Sequence, residues 1–511
     1  VRLQSSKKYS EEFIMKKLKL LKYLAVALLL FAVGCNDLLQ KPDPATSVKG
    51  EAVLTSAEGV KALRASLYSS LRASGGFTTM YFIGPSAISD ETRHRSGASR
   101  YQGLNELTGN DGGTNGLAPG SGTFDTYNDT YDIINKANLM INSVKDGVLD
   151  NQATLDQYRG EAYAVRALVM HHLVRSIAYE PGHEVGGWDK GIVLRTTPTQ
   201  DLSDVEEAPR ATVSEVYTQI LDDLDQAKSL LAGQTDNTHI TEAFVDGLMA
   251  RVNLYAGNWS EANTAAGNAI NDAAQSLVTD SATVADMFDE TGPGHPEALF
   301  KVVVNPSTEP IAGDNVNNGL AAYTSTVWVA QVPTNFVINL YDSNDYRLGW
   351  YRPCFNDRAG TPVSGCTDVN DEGWEIDKWG GEKGQQADDI PYMRISEMYL
   401  IQAEARSKMS GNTYADGMGP LNTLRQARGL NPLVTGVDIT SQQEFMNEVL
   451  DARVRELVAE GHRFYDLKRL GRDITNPDGS TKIRYDSYRI LDDIEADLIS
   501  ANGALENNPG Y

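Results

Sequence analysis

Between residues 446 and 470, Met446, Leu450, Val454, Leu457, Gly461, Phe464 and Leu467 follow one another by threes and fours. That spacing predicts one long helix with a single buried stripe. Beside the stripe run Arg453, Glu456, Glu460, Arg463, Asp466 and Arg469 at the same spacing, which sets opposite charges one turn apart. Gly461 lies inside the stripe, where glycine costs roughly 1 kcal/mol relative to alanine, so a second backbone is expected to approach there. Glu456 and Glu460 admit two readings. Carboxylates one turn apart can share a proton or hold a metal, or the arginines neutralise them in a partly buried ion-pair ladder that fixes how two helices dock. The alternating arginines favour the ladder.

Helical periodicity also marks blocks at about 57 to 73, 125 to 145, 155 to 179, 211 to 232, 241 to 256, 259 to 275, 394 to 409 and 415 to 428. Most come in pairs. From Phe244 to Ile270 the small residues Ala250, Ala256, Ala262 and Ala269 alternate with Leu254, Tyr255 and Trp259 around a Gly257-Asn258 turn. The segment resembles a tetratricopeptide hairpin, in which small residues let two helices cross closely. Tyr399 to Ala405 followed by Leu421 to Leu430 repeats the pattern. Strand-like runs are few, at Leu299 to Val304 and Thr326 to Val332. The expected fold is mainly α: a tetratricopeptide-like scaffold of helical hairpins with long irregular loops and a few short strands.

The first residues read as an address. Lys16, Lys17, Lys19 and Lys22 precede an apolar run from Tyr23 to Val33 that ends in Gly34-Cys35, the pattern of an export signal. A membrane span takes about 20 apolar residues, so cleavage and lipidation at Cys35 are expected rather than a retained helix. Phe31-Ala32-Val33-Gly34-Cys35 resembles a lipobox, and Val1 to Ile14, upstream of Met15, do not belong to such a signal. Three parts are therefore expected: residues 1–34 as upstream residues and signal, 35–56 as lipidated cysteine and tether, and 57–511 as one domain with a loop-rich insert at about 286–389. Cleavage before Cys35 removes seven basic residues and two acidic ones, moving the net charge from -24 to -29. So acidic a chain repels phosphates, which excludes nucleic acid as an expected partner. Cys354 and Cys366 then remain as a pair in an oxidising compartment. A local disulfide is favoured over a metal site, because no His or further Cys is spaced to complete one.

Arg455-Glu456-Leu457, followed by Glu460-Gly461-His462-Arg463-Phe464-Tyr465-Asp466-Leu467-Lys468-Arg469-Leu470-Gly471, resembles the C-terminal signature of the SusD/RagB family of nutrient-binding outer-membrane lipoproteins. The likeness extends to Tyr131–Ile141 around Asn138, Glu161–Leu173 with Arg166-Ala167, Arg210–Leu231 with Asp223-Leu224, and Asp389–Glu397. Leu470 stands where the family often has Trp, and Met393 where shorter residues are frequent. The resemblance implies a helical-hairpin scaffold and a lipid-anchored protein at the outer membrane, facing outward. It also implies a glycan ligand and a SusC-like TonB-dependent transporter as partner, with no cofactor. By the same resemblance Trp379 belongs to a structural strand, and Asp345 pairs with Arg347.

Function on such a scaffold is expected on loops. One loop-rich region, Gly75 to Gly122, carries Tyr81, Phe82, Asp90, Arg93, His94, Arg95 and Tyr101; the second, Asp286 to Asp389, carries Trp328, Trp350, Tyr351 and Arg352. Five of the six Trp lie outside the predicted helices, a distribution that suits stacking on sugar C–H faces while Asp and Arg bind hydroxyls. The ligand-binding candidates are Tyr81, Phe82, Asp90, Arg93, Trp328, Trp350, Tyr351 and Arg352. For any one aromatic, pinning a long loop to the helices weighs at least as heavily.

Other chemistries find little support. Asp368-Val369-Asn370-Asp371-Glu372-Gly373 begins like a calcium loop, but Trp379 stands where the closing Glu belongs. No G-x-S-x-G, H-E-x-x-H or phosphate-binding G-x-x-x-x-G-K-[ST] occurs, and His171-His172 reads as structural. No catalytic or metal-binding residue is assigned. Three readings remain: a glycan-capturing lipoprotein, a peptide-binding relative of the same fold, and, last, a surface glycan hydrolase.

Overall fold

The computed structural model describes residues 50–72, 77–95, 101–107, 127–291, 294–307, 320–325, 329–353, 374–383, 387–476 and 478–511. Cys35, Cys354, Cys366, Trp328 and the segment Asp368–Gly373 lie outside the described residues. Leu54–Tyr511 forms one compact unit.

Its frame is a stack of helices: α1 (Ala57–Arg72), α3 (Tyr127–Asn142), α4 (Gln152–Ile177), α5 (Val213–Leu230), α6 (Glu242–Ala256), α7 (Trp259–Asp272), α8 (Ile395–Lys408), α9 (Tyr414–Ala427) and α10 (Gln442–Leu457). Each packs on the next in that order, and α8 touches both α9 and α10. Local signals start the helices. Thr212 and Glu215 close a capping box on α5, Thr413 and Asp416 another on α9, and the Thr241 hydroxyl accepts the Phe244 N–H at the start of α6. Gly257, at φ 75°, ends α6. Small residues set the crossings, as expected: Ala262, Ala266 and Ala269 are buried on α7, and a Cβ on Gly417 would lie 2.3 Å from the Ala403 carbonyl oxygen.

Between α7 and α8 the chain leaves the stack for more than a hundred residues and returns through β6 (Ile390–Arg394), which runs straight into α8. Antiparallel pairs tie this excursion down. β6 pairs with β2 (Ala298–Val302), β4 (Tyr351–Pro353) with β5 (Trp374–Ile376), and β3 (Gln331–Pro333) with β1 (Thr92–His94). A last pair, β7 (Ile474–Thr475) with β8 (Thr481–Ile483), follows the stack. The architecture is mainly α with short two-stranded pairs, the fold class the periodicity predicts.

Two elements differ from expectation. Phe77–Ile88, expected as loop, is a helix (α2) with Pro85 inside it. Phe77, Tyr81, Phe82, Ile83, Ala87 and Ile88 are all buried, and a helix covered on every side shows no amphipathic stripe. The predicted helix over 446–470 breaks into α10 and α11 (Arg463–Lys468), with Ala459 at φ 56° and Gly461 at φ 78° between them. The break is stabilised by groups outside the helix. The Lys378 ammonium donates to the carbonyls of Glu456 and Val458 at 3.0 and 3.2 Å, and Arg394 donates to the Glu456 carbonyl at 2.7 Å, satisfying acceptors that a helix C-terminus leaves open. Gly461 does meet a second backbone: a Cβ there would lie 2.0 Å from the Tyr81 carbonyl oxygen of α2.

Gly461→Ala is therefore expected to lower stability by about 2–4 kcal/mol, from the left-handed backbone and the clash together. Gly419→Ala, with nothing within 4 Å of its Cβ, is expected to be neutral or stabilising by up to ~1 kcal/mol. Thermal or urea denaturation of the two variants checks the contrast.

Candidate functional site

The two loop-rich regions meet. Thr92, Arg93 and His94 on β1 pair in register with Pro333, Val332 and Gln331 on β3, and the Arg95 N–H donates to Ala330 at 3.0 Å. The short helix Gln102–Glu106 follows β1 and is pinned through Asn105, whose amide donates to the carbonyls of Ala87 and Thr92 at 2.8 and 3.3 Å. Just before it, the Tyr101 ring sits edge-on to Tyr323 of the helix Leu320–Thr324, centroids 5.1 Å apart. Arg352 of β4 donates to the Ser325 carbonyl and pairs with Glu375 and Asp377 at 2.7 and 3.2 Å. One neighbourhood thus holds Arg93, Tyr101, Tyr323 and Arg352.

Of the predicted ligand contacts among the described residues, only Arg93 and Arg352 keep exposed side-chain surface here. Tyr81, Phe82 and Trp350 are 3%, 1% and 0% exposed, and a stacking platform needs a ring face open to solvent. Tyr81 and Phe82 instead pack on Tyr392 at 5.2 and 5.5 Å, and the Trp350 indole N–H donates to the Val284 carbonyl at 2.7 Å. Tyr351 is buried with its hydroxyl 3.0 Å from that of Tyr341. Asp90 is buried in a bidentate pair with Arg463, both contacts at 2.7 Å. These five residues are core, and Trp379, 1% exposed, is core as expected.

Beneath the loop junction lies a buried charge cluster. Glu456 accepts from Arg394 at 2.7 Å, from Arg428 at 2.8 Å and from Arg347 at 3.1 Å. Glu460 accepts from Lys378 at 2.5 Å and Arg394 at 2.6 Å, Glu297 from Arg428 at 2.8 Å, and Asp345 from Arg347 at 2.6 Å. Four cations thus meet four carboxylates. Burial pushes the Glu456 carboxyl upward, but Arg428 and Arg394 outweigh it and hold the group well below the ordinary carboxylate range. Burial draws the Lys378 ammonium down to about 8, against the pull of Glu460. Burial also raises Asp388 to about 8 and Glu91 to about 7.

The ion-pair reading of Glu456 and Glu460 therefore stands over the catalytic one, since both are sealed from substrate and water. Their partners, however, come mostly from other segments rather than from the same helix. The expected Asp345–Arg347 pair is present, while Arg394, Arg428 and Lys378, and the contact of Arg347 with Glu456, are not legible from spacing; charged residues inside otherwise apolar runs are the available signal. His171 and His172 are buried among aromatic rings, and burial keeps both neutral. Among the described residues, carboxylate oxygens of Glu242, Asp246 and Asp272 lie within 4.8 Å of one another and could hold a cation, although the Lys228 ammonium already sits 2.6 Å from Asp246.

Comparison with known proteins places this geometry. A SusD family model matches residues 356–511, and one described as starch-binding associating with outer membrane matches residues 85–254. The chain belongs to the SusD/RagB family. SusD/RagB proteins are binding proteins without catalytic activity, and this chain is not an enzyme. Its relatives include SusD-like protein P2 of Formosa agariphila, 25% identical over 97% of this chain and 100% of the relative, and P38 of the same organism, 26% identical over 70% and 75%. Among solved structures, a putative sugar binding protein from Bacteroides vulgatus superposes with a TM-score of 0.73 at 23% identity, covering 90% of this chain and 99% of that one. A laminarin binding SusD-like protein superposes at 0.69 and 19% identity, covering 89% and 100%. At that identity the superpositions carry the SusD-like fold.

Arg394→Met is expected to cost about 3–5 kcal/mol, because it takes one buried cation from both Glu456 and Glu460 and leaves the cluster with excess negative charge; denaturation curves check it. Glu91 and Asp388 have folded-state pKa values above their ordinary ones, so the stability they contribute is present at low pH and lost as pH rises through about 7 and 8. Glu91→Gln with Asp388→Asn is expected to remove that loss, so that the variant's melting midpoint rises relative to the native chain's between about pH 5 and 8.5.

Proposed function

We propose that this chain is a surface-exposed lipoprotein, anchored in the outer membrane through Cys35, that binds nutrient oligosaccharide or polysaccharide and delivers it to a SusC-like TonB-dependent transporter. The observation that carries the reading is the pair of family matches, over residues 85–254 and 356–511, one of them described as starch-binding associating with outer membrane. The solved relatives described as sugar binding and laminarin binding support it. Among the described residues no helix is long and apolar enough to cross a membrane, so a lipid at Cys35, with 35–56 as tether and 57–511 as one domain, accounts for attachment. A disulfide between Cys354 and Cys366 belongs to the same reading.

Arg93 and Arg352 at the loop junction supply donors for sugar hydroxyls, and Trp328 supplies a ring for C–H faces. Ion pairs hold Arg352 in place from below, so little ordering is left to do when a ligand arrives. A ligand held there without chemistry can be passed on intact.

Calorimetric titration of the soluble chain, beginning after Cys35, against oligosaccharides and oligopeptides tests the reading. Saccharide binding without release of reducing ends is expected. Trp328→Ala is expected to weaken it about tenfold or more with an unchanged melting point, one stacked ring being worth on the order of 1 kcal/mol or more. Trp350→Ala is expected instead to destabilise the fold by about 3–5 kcal/mol. Binding of peptides in place of sugars would favour the peptide-binding alternative, and turnover of a glycan would end the proposal.

A further inference from the structure

A second cleft lies on the outer face of α1, away from every residue proposed above. Lys61, Arg64, Ala65, Tyr68 and Arg72 share one side of that helix and face Tyr158 of α4, His239 ahead of α6, and Val302-Val303 at the end of β2, around a volume of 380 Å³. Its lining is unusual for this chain. The protein has 69 acidic against 45 basic residues, yet among the described residues the cleft is lined by three cationic side chains and no carboxylate.

The cations differ in how they are held. Arg64 is clamped: its Nε and Nη2 donate to the buried Glu161 carboxylate at 2.5 and 2.7 Å, and its guanidinium lies 4.5 Å from the Tyr158 ring centroid and 5.5 Å from that of Tyr68. Nη1 takes part in no hydrogen bond among the described residues. Lys61 is exposed and has no ion-pair partner among them. The Tyr68 ring is itself fixed, its hydroxyl accepting the Ile240 N–H at 3.0 Å and its plane nearly perpendicular to that of His239, 5.4 Å between centroids. Val303, 40% exposed, offers an apolar surface beside these groups.

A neutral sugar calls for a mixture of carboxylate and amide acceptors with a few donors. A lining rich in donors and lacking carboxylates suits a ligand that carries its own negative charge, since guanidinium and ammonium groups bind carboxylate and sulfate oxygens with charge-assisted hydrogen bonds. The volume falls within the range of small-molecule clefts, about 300–1,000 Å³. We infer that this cleft is a second carbohydrate subsite, which takes a carboxylated or sulfated sugar residue with its anion between Lys61 and Arg64 and its ring against Val303. That the cleft takes an anion stands on its own residues; that the anion is borne on a sugar rests on the function proposed above.

Titration calorimetry of the chain beginning after Cys35 tests this, with trigalacturonate, a sulfated trisaccharide, their neutral counterparts and inorganic sulfate as probes. Charged saccharides are expected to bind with an affinity that falls as salt rises. Lys61→Glu is expected to weaken them about tenfold, reversing one surface charge contact, and Ala65→Trp to abolish binding by filling the cleft. Both positions are exposed, so melting points should not move, and neutral saccharide binding at the loop junction should be unaffected. Charged saccharides binding both variants as they bind the native chain would overturn the inference, as would neutral saccharides binding in a Lys61-dependent way. Inorganic sulfate binding as tightly as the sulfated trisaccharide would overturn its sugar part. Lys61-dependent binding of charged saccharides with no neutral saccharide bound anywhere would uphold this cleft and count against the loop junction.

Discussion

A single buried carboxylate, Glu456, draws three guanidinium groups from separate parts of the chain. Arg347 follows β3, Arg394 ends β6, and Arg428 caps α9. Burying an unpaired carboxylate costs several kcal/mol, so the segments that carry these arginines cannot drift from the stack without exposing that cost. Apolar contacts tolerate sliding; several charged forks on one carboxylate do not. Each neighbouring carboxylate in the cluster has its own cation, so the assembly is close to neutral and can stay dry. Lys378 closes the last gap by donating to the carbonyls that the end of α10 leaves open.

The same device recurs along the stack. Arg64 of α1 grips Glu161 of α4, Arg166 of α4 grips Asp223 of α5, Arg251 of α6 grips Glu397 of α8, and Arg469 after α11 grips Glu404 of α8. Helical repeats that meet only their neighbours depend on each interface in turn. A buried, mostly bidentate pair at many of these interfaces fixes register where small residues alone would permit slip. The arginines are largely consumed inside, which leaves the surplus of acidic side chains to water. That partition explains how a chain of net charge -24 can have an interior in charge balance, and why a surface cleft whose charged lining among the described residues is cationic stands out.

Helices α1, α3, α5 and α7 could be read from sequence because each has a wet face, and a wet face leaves a period; α6 and α8 are almost enclosed and are legible instead through the small residues of their hairpins. α2 could not, since Phe77 to Ile88 is enclosed on all sides and contains Pro85. The break between α10 and α11 was hidden because both helices turn apolar residues toward the same core, so the stripe runs on through the turn. Charge spacing along residues 453–469 suggested pairing within one helix. That spacing accounts for Arg469 with Asp466; Arg453 meets Asp466 across the break between α10 and α11, and the partners of Glu456 lie 28, 62 and 109 residues away, beyond any local rule. Asp345 and Arg347, two residues apart, could be matched. At the candidate site, tryptophan position alone did not separate binding from packing. Trp350 and Trp379 lie outside regular helices and yet fill the space under the loops, since a large rigid ring suits both tasks.

Separating a charged, dry foundation from the surface above it has a consequence for how such a protein can vary. Residues of the foundation are coupled: Glu456, Arg394, Arg428 and Glu297 share partners, so changing one unbalances the charge around the others. Residues at the junction couple to it through few contacts, chiefly Arg352 to Glu375 and Asp377, and the pairing of β1 with β3. Substitution in the loops can therefore change what is bound while the stack and its register persist. The cleft on α1 follows the same logic, because its outer residues Lys61 and Ala65 are exposed while Arg64, which shares the cleft, is committed to Glu161 below. In both places the inner cation holds the scaffold, and the outer side chains are left to select the ligand.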